Sequence, residues 1–285
     1  MDKTRQSLSF LVPRGLEQRF RLLKATAQYL LTGKGPLSSN IGEAIGFVRS
    51  DDSKLFPPSQ YPAGSVPEDT TTGPNAPDLE LFSTPMAYTE HTTLTPPNDG
   101  HYNFMLHTVL LRPKSSGTIR LKSADPDDLP VVDPRYLTDY NDVKTLLRGV
   151  RLVDKIAHTE PVASMIDPAG DDHPELHHAL SRSSDKELER LIRERAQTLY
   201  HPACSARMAP LEDGGVVDPY LRVHGIPNLR IVDASIFPAI VSGHTVSTSW
   251  ICRSGIEQSA VLQTGPVLAV AEKAADLIKT AMAKQ

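Results

Sequence analysis

The chain has 285 residues, 39% hydrophobic and 22% charged, which is enough for one large domain or two smaller ones with a substantial core. A formal net charge of −4 argues against a broad nucleic-acid footprint, and no run of about 18 apolar residues offers a membrane span. With only Cys204 and Cys252, a disulfide framework is excluded.

In chain order, Leu16, Phe20, Leu23, Ala27, Leu30 and Leu31 recur at helical spacing, and Gly33 follows as a stop. The turn-rich "TGKGPLSSN" leads into "IGEAIGFVRS", a short strand. Residues 51–77 are proline-rich and aperiodic, a long surface loop of the kind that binds ligands or closes as a lid. Leu79, Leu81 and Ser83 alternate with Glu80 and Phe82, a strand signal. "YNFMLHTVLLRP" (Tyr102–Pro113) is a stronger one, and "GTIRLKS" after "KSS" predicts a hairpin with it. Asn141 is placed to cap a helix carrying Val143, Leu146, Leu147, Val150, Val153 and Ile156 on one face. Ser184 and Glu187 form a capping box before a helix running to Tyr200. "NLRIVDA" predicts a short buried strand ending at Asp233, and a last helix begins near Pro266, which suits a first helical position. Strands and helices come in runs rather than strict alternation, so the expected class is α+β.

Ten histidines are the first candidates for chemistry. His173, His177 and His178 lie in the polar "DDHPELHHAL" and read as solvated, without the ligand pattern of a metal site. His107 reads as a packed or surface strand residue. His201 and Cys204 make an H-x-x-C pair, too few ligands for zinc. Ser205, Ser235, His201, His224, Asp218 and Asp233 supply the residue types of a hydrolytic triad, but no G-x-S-x-G turn is present. His201 and His244 stand apart. Each sits in a loop flanked by glycine, serine or proline beside a firm element, and imidazole titrates where a general base is needed.

The blocks "HPACSARM", "GGVVDPYLRVHGIPNLRIVDASIFP" and "VSGHT", followed by "TGPVLAVAEKAADLIK", resemble the C-terminal signature of the glucose–methanol–choline (GMC) oxidoreductases in order and spacing. Upstream, "YLLTGKGPLSSN" and the stretch from "LLRPKSSGTIRL" to "RGVRLV" resemble that family's substrate domain. The resemblance implies an FAD-dependent enzyme that oxidises the CH–OH group of an alcohol. It implies an antiparallel-sheet substrate domain with flanking helices, together with a C-terminal remnant of an FAD-binding dinucleotide-fold domain. On this reading residues 1–200 are the substrate-binding portion and 201–285 complete the FAD domain. The resemblance assigns His201 as the base for the alcohol proton and His244 as the group that orients the same oxygen. It puts Asp233, Ala234, His244 and Thr245 near the flavin and Tyr200 in the substrate pocket. No metal is implied. The partner is a small-molecule alcohol, with no nucleic acid and no membrane span. Relatives acting as lyases or cyclases keep a non-redox reaction open.

Two departures qualify this. No G-x-G-x-x-G follows a strand; "GKG" at Gly33–Gly35 runs into Pro-Leu-Ser and does not open a phosphate-binding helix. The chain is therefore expected to be the second half of a longer protein, and a truncated, inactive product is a second alternative. The opening "MDKTRQSLSFLVPRG" lacks a secretory h-region, but with the N-terminus expected to be missing this assigns no location. Further, Val246–Gln263 interrupts the resemblance, and deleting it yields a continuous "VSGHTTGPVLAVAEKAADLIK". Its Val-Ser start is encodable by GTN-AGN and its final Gln by CAG, the edges of a spliceosomal intron. The expectation is a retained intron, with a genuine surface insertion as the competing reading.

Overall fold

A computed structural model describes residues 8–11, 13, 15–39, 42, 44–86, 103–166 and 180–243, and the backbone of 257–283 with side chains from 265 onward. Within it, two compact units interleave along the chain. One comprises Met1–Glu68, Asp78–Leu110 and Val143–Gln197; the other comprises Asp69–Pro77, Leu111–Asp142 and Thr198–Gln285. Among the described residues the architecture is helices with small antiparallel sheets.

In the first unit, α1 (Leu16–Thr32) stops at Gly33, whose left-handed backbone (φ 66) lets its N–H bond Tyr29 O. The stripe predicted from Leu16 to Leu31 forms on this helix but faces solvent. The buried side instead carries Gln18 and Ala25, with Ala25 packed on Leu8 and Phe10. Strands β1 (Ile45–Val48), β2 (Leu79–Thr84) and β3 (Met105–Leu110) form an antiparallel sheet in the order β1-β2-β3. Register pairs Ile45 with Phe82 and Phe82 with His107, so Leu79, Leu81, Thr108 and Leu110 share the opposite face. That face meets α2 (Tyr140–Ala157) where the helix has no side chain to interpose: a Cβ on Gly149 would lie 2.1 Å from Thr108 Oγ1 and 3.1 Å from Leu79 Cδ2. Leu79, Leu152 and Phe56 form the core there.

The proline-rich 51–77 stretch is anchored at its start in this core. Arg148 of α2 is buried; it donates to Ser50 O (2.5 Å) and Ser65 Oγ (3.1 Å), and its guanidinium lies over the rings of Phe56 and Tyr61. Ser50 in turn donates its N–H and hydroxyl to buried Asp78. Residues 50 to 65 are thus pinned rather than free to swing as a lid.

Three predicted boundaries shift for identifiable reasons. Asn141 does not cap α2; it lies inside the helix, and its N–H is taken by the Asp139 carboxylate (2.8 Å). β3 does not turn back on "GTIRLKS". The N–H groups of Lys114 and Ser115 are held by buried Asp142 (2.8 and 2.9 Å), so β4 (Thr118–Arg120) pairs with β5 (Val131–Asp133) in the second unit. After α3 (Val162–Met165), α4 (Asp185–Arg195) is capped by Ser184, which accepts the Glu187 N–H as predicted, but it ends at Arg195 because Ala196 turns extended. His173, His177 and His178 lie outside the described residues.

The second unit also holds the ribbon of β6 (Arg222–Val223) and β7 (Ile226–Arg230). β7 is largely exposed and stops before Asp233, contrary to the expected buried strand. Its ladder partner is two residues long, and the Ile231 N–H turns instead to Leu221 O. The final helix, α5, spans Glu257–Met282, so it begins ahead of the predicted start and contains Pro266. Proline removes the donor for the carbonyl four residues back without ending the helix. Buried Ala274 of α5 joins Val217, Leu221, Ala234, Ile236 and Phe237 in this unit's core.

Candidate functional site

Beyond Arg195 the chain has no helix or strand as far as Tyr200, which is exposed and donates its N–H to Thr198 Oγ1 (3.0 Å). His201 follows, half-buried, with its Nδ1 edge away from solvent. Tyr200 (φ 62) and Cys204 (φ 70) bracket it in the left-handed region, an arrangement costing a non-glycine residue roughly 1–2 kcal/mol. Such positions persist where surrounding contacts over-determine them, and they cluster at functional sites.

The over-determining contacts are visible. The N–H groups of Cys204, Ala206 and Met208 donate in turn to Ala234 O (3.2 Å), Ser235 O (2.9 Å) and Ile236 O (2.9 Å). "CSARM" therefore lies alongside "ASI" as a short ladder of three bonds, and the loop after His201 is fastened to the segment after Asp233. Ala234 and Ile236 are buried in the core, so the ladder has a rigid base. Asp233 is exposed and extended, and its carboxylate accepts the Ser235 N–H (2.8 Å) and hydroxyl, capping the turn Ala234–Ile236. The structure thus brings His201, Asp233 and Ala234 into one assembly, with Tyr200 at its exposed edge. His244 and Thr245 lie outside the described residues.

Their approach is described as far as Gly243, whose N–H donates to Val241 O (2.8 Å). The Ser242 hydroxyl is buried and has no hydrogen-bond partner among the described residues. Arg112 holds this approach: its guanidinium donates to Ile240 O and, through Nε, to Thr70 O (3.0 Å), while Thr70 Oγ1 donates to Arg112 O (2.8 Å). Arg112 lies inside the "LLRPKSSGTIRL" block, but nothing local in the sequence shows that its partners are Thr70 and Ile240.

Other residues with reactive side chains are structural. Asp218 accepts the N–H groups of Tyr220 and Arg222 and pairs with the Arg222 guanidinium (2.8 Å). Desolvation pushes its carboxyl upward, but these hydrogen bonds and the Arg222 charge outweigh it and hold the group below its usual range. His224 donates Nε2–H to Ala209 O (2.9 Å). Burial raises the Cys204 thiol, against a smaller downward pull from Arg112 and Arg207, so it is no activated nucleophile. His107 stacks on Phe82 and bonds Thr84 Oγ1 (2.9 Å). Among the described residues no group of three or more His, Cys, Asp or Glu could hold a metal ion, and no helix is long and apolar enough to cross a membrane. Gly35 leads into the three-residue turn Pro36–Ser38, whose Ser38 N–H and hydroxyl fold back on Gly35 O, so this glycine pair offers no phosphate cradle.

Comparison with known proteins points one way. A family model described as GMC oxidoreductase matches residues 113–251. The chain is 37% identical over 272 residues to "Dehydrogenase str4" of Strobilurus tenacellus, covering 90% of this chain and 40% of that protein. It is 32% identical to the "Alcohol dehydrogenase [acceptor]" of Pseudomonas putida, covering 94% of this chain and 38% of that protein. In structure it superposes on the formate oxidase of Aspergillus oryzae RIB40, in a variant studied for modification of its FAD, with a TM-score of 0.70, 28% identity, and coverage of 96% of this chain and 44% of the other. The chain spans about two-fifths of the length of these curated relatives.

Proposed function

The chain belongs to the GMC oxidoreductase family, and on that premise we propose that it supplies the substrate-binding and histidine-bearing portion of an FAD-dependent enzyme oxidising the CH–OH group of a small alcohol. The observation that carries the reading is the three-bond ladder fastening the loop after His201 to the segment after Asp233. It makes a rigid mount for a base, on a segment that the family match includes.

The described residues fit a flavin. The buried, unpartnered Ser242 hydroxyl, two residues before His244, is a polar group awaiting a polar neighbour. The glycine pair at Gly33–Gly35 makes no anion site. Asp233 and Ala234 would lie along the flavin's phosphate–ribityl part and His244 and Thr245 beside it near the reacting end, with Tyr200 beside the substrate. When bound, FAD accepts the hydride that leaves the alcohol carbon, so the alcohol becomes a carbonyl compound.

His201 takes the hydroxyl proton. Mounting it on the ladder keeps the proton acceptor within reach of that oxygen, which is where a positioned base gains its rate. His244 donates to the same oxygen and stabilises its alkoxide character. In this proposal the residues after His201 complete the FAD domain and the residues before it bind the alcohol.

The test is a chimera joining this chain to the remaining part of the Strobilurus relative. Alcohol added without oxygen should bleach the flavin absorbance and release an equivalent of carbonyl product. A chimera that holds flavin but converts alcohols without reducing it would overturn the redox reading in favour of a lyase or cyclase.

A further inference from the structure

Arg112 is where three distant pieces of one unit meet. That unit gathers Asp69–Pro77, Leu111–Asp142 and Thr198–Gln285. Arg112 Nε donates to Thr70 O (3.0 Å), and Thr70 Oγ1 returns a bond to Arg112 O (2.8 Å), a reciprocal clamp across 42 residues of sequence. Its Nη1 donates to Ile240 O, 128 residues away. Both acceptors of the guanidinium are backbone carbonyls, so these bonds orient chain rather than pair charges. A planar fork with N–H groups in fixed relative directions suits that task; a single flexible ammonium does not.

The mount beneath Arg112 is stiff. Leu111 before it is buried, and after Pro113 the N–H groups of Lys114 and Ser115 are held by the buried Asp142 carboxylate (2.8 and 2.9 Å). The far end of the contact has less support of its own. From Ile240 to Gly243 the chain has neither helix nor strand, and the Gly243 N–H bond to Val241 O (2.8 Å) stays within the segment. Val241 packs on the core of Ala234, Ile236 and Phe237, against which Cys204 also packs. The segment before His244 and the loop after His201 therefore rest on one core. Burial raises the Cys204 thiol, and the Arg112 charge is the larger of the two that pull it back, so its field reaches the His201 loop as well.

We propose that Arg112 is a positioning residue of the active site: it fixes Ile240–Gly243 and, through that segment, the place of His244, which follows Gly243 in the sequence. This rests on the reading of His244 as the group that donates to the substrate oxygen. The first measurement needs no flavin. In the full 285-residue chain, deuterium exchange of the Ile240–Gly243 amides reports local opening. Arg112→Ala should speed it roughly 10- to 100-fold, the scale of losing a hydrogen bond from a charged group. The ladder amides of Cys204, Ala206 and Met208 should keep their wild-type protection. Arg112→Lys keeps the charge but not the fork, so its exchange should be nearly as fast as that of Arg112→Ala. In the chimera with the remaining part of the Strobilurus relative, both variants should lower kcat about 100-fold, the order expected for a group displaced by about 1 Å. KM and the acid limb of the kcat/KM profile should not move, because His201 keeps its own mount.

Equal exchange at Ile240–Gly243 in the wild type and Arg112→Ala would overturn the proposal. So would acceleration shared by the ladder amides, which is loss of overall stability. A wild-type kcat in either variant would overturn it too; in Arg112→Lys it would mean that charge alone suffices. Flavin bleaching is read separately. Acceleration confined to Ile240–Gly243, beside a chimera that converts alcohols without reducing its flavin, supports the Arg112 contact while removing the redox reading.

Discussion

Replacing Gly215 by alanine should disturb the His201 mount from a distance, and the structure sets the scale. A Cβ at Gly215 would lie 1.9 Å from Ala209 O and 2.4 Å from Ala209 C, with Pro210 O at 2.7 Å. Those atoms are backbone, so the strand of chain after Met208 must move by more than an ångström. Three hydrogen bonds hold it: Gly215 N–H to Pro210 O (2.9 Å), Val216 N–H to Arg207 O (2.8 Å) and His224 Nε2–H to Ala209 O (2.9 Å). At about 1 kcal/mol net each, their loss costs about 3 kcal/mol. For a protein of this size that lowers the melting temperature by roughly 6–12 °C. Gly214 is the control. It has φ 75 but nothing within 4 Å of its Cβ position, so alanine there costs only the left-handed backbone, about 1 kcal/mol. Thermal melts of both variants followed by dichroism, with turnover of the chimera, separate the two. Met208 begins the moved stretch and ends the ladder, so G215A should also lower kcat, on the order of 100-fold if the base shifts by about 1 Å. Equal melting shifts for G214A and G215A would refute the reasoning, because steric contact would then count for nothing.

His201→Gln in the chimera should lower kcat by about 10²- to 10⁴-fold with flavin still bound, and a variant retaining full turnover would remove His201 as the base. Asp218→Asn should cost stability at neutral pH but not in acid. A carboxyl held below its usual range stabilises the fold above its unfolded pKa of about 3.9, and that contribution is lost as pH falls through the folded value. Melts from pH 7 down to 3 should therefore show the two curves converging; a constant gap would contradict the Arg222 pairing. With Cys252 replaced by serine, Cys204 should react slowly with a thiol reagent at pH 8 until the chain is unfolded, since burial raises its thiol. Deleting Val246–Gln263 from the chimera, which removes the start of α5 (Glu257–Gln263) together with the segment before it, should raise turnover by joining His244 closely to the rest of that helix, and transcript sequencing should find the segment spliced out. A mature message that keeps it sinks the intron reading.

Local signals were legible because they depend on neighbours in the chain. Gly33 stops α1, Ser184 caps α4, and the alternation at Leu79–Ser83 is a strand, each through contacts spanning a few residues. The α+β character and the family blocks could be read for the same reason, being patterns of type and spacing. What depended on distant partners could not. The hairpin went to β4 and β5 because Asp142, far along the chain, claims Lys114 and Ser115. The lid-like loop is anchored through Ser50 and Ser65 by Arg148, whose partners lie 98 and 83 residues away. The α1 stripe announced a buried face, yet which side of the helix found a neighbour was decided by Leu8 and Phe10. The family resemblance pointed to the histidine; only folding could lay its loop along Ala234–Ile236, because a ladder between residues some thirty apart is specified by where two segments meet, not by what either one spells.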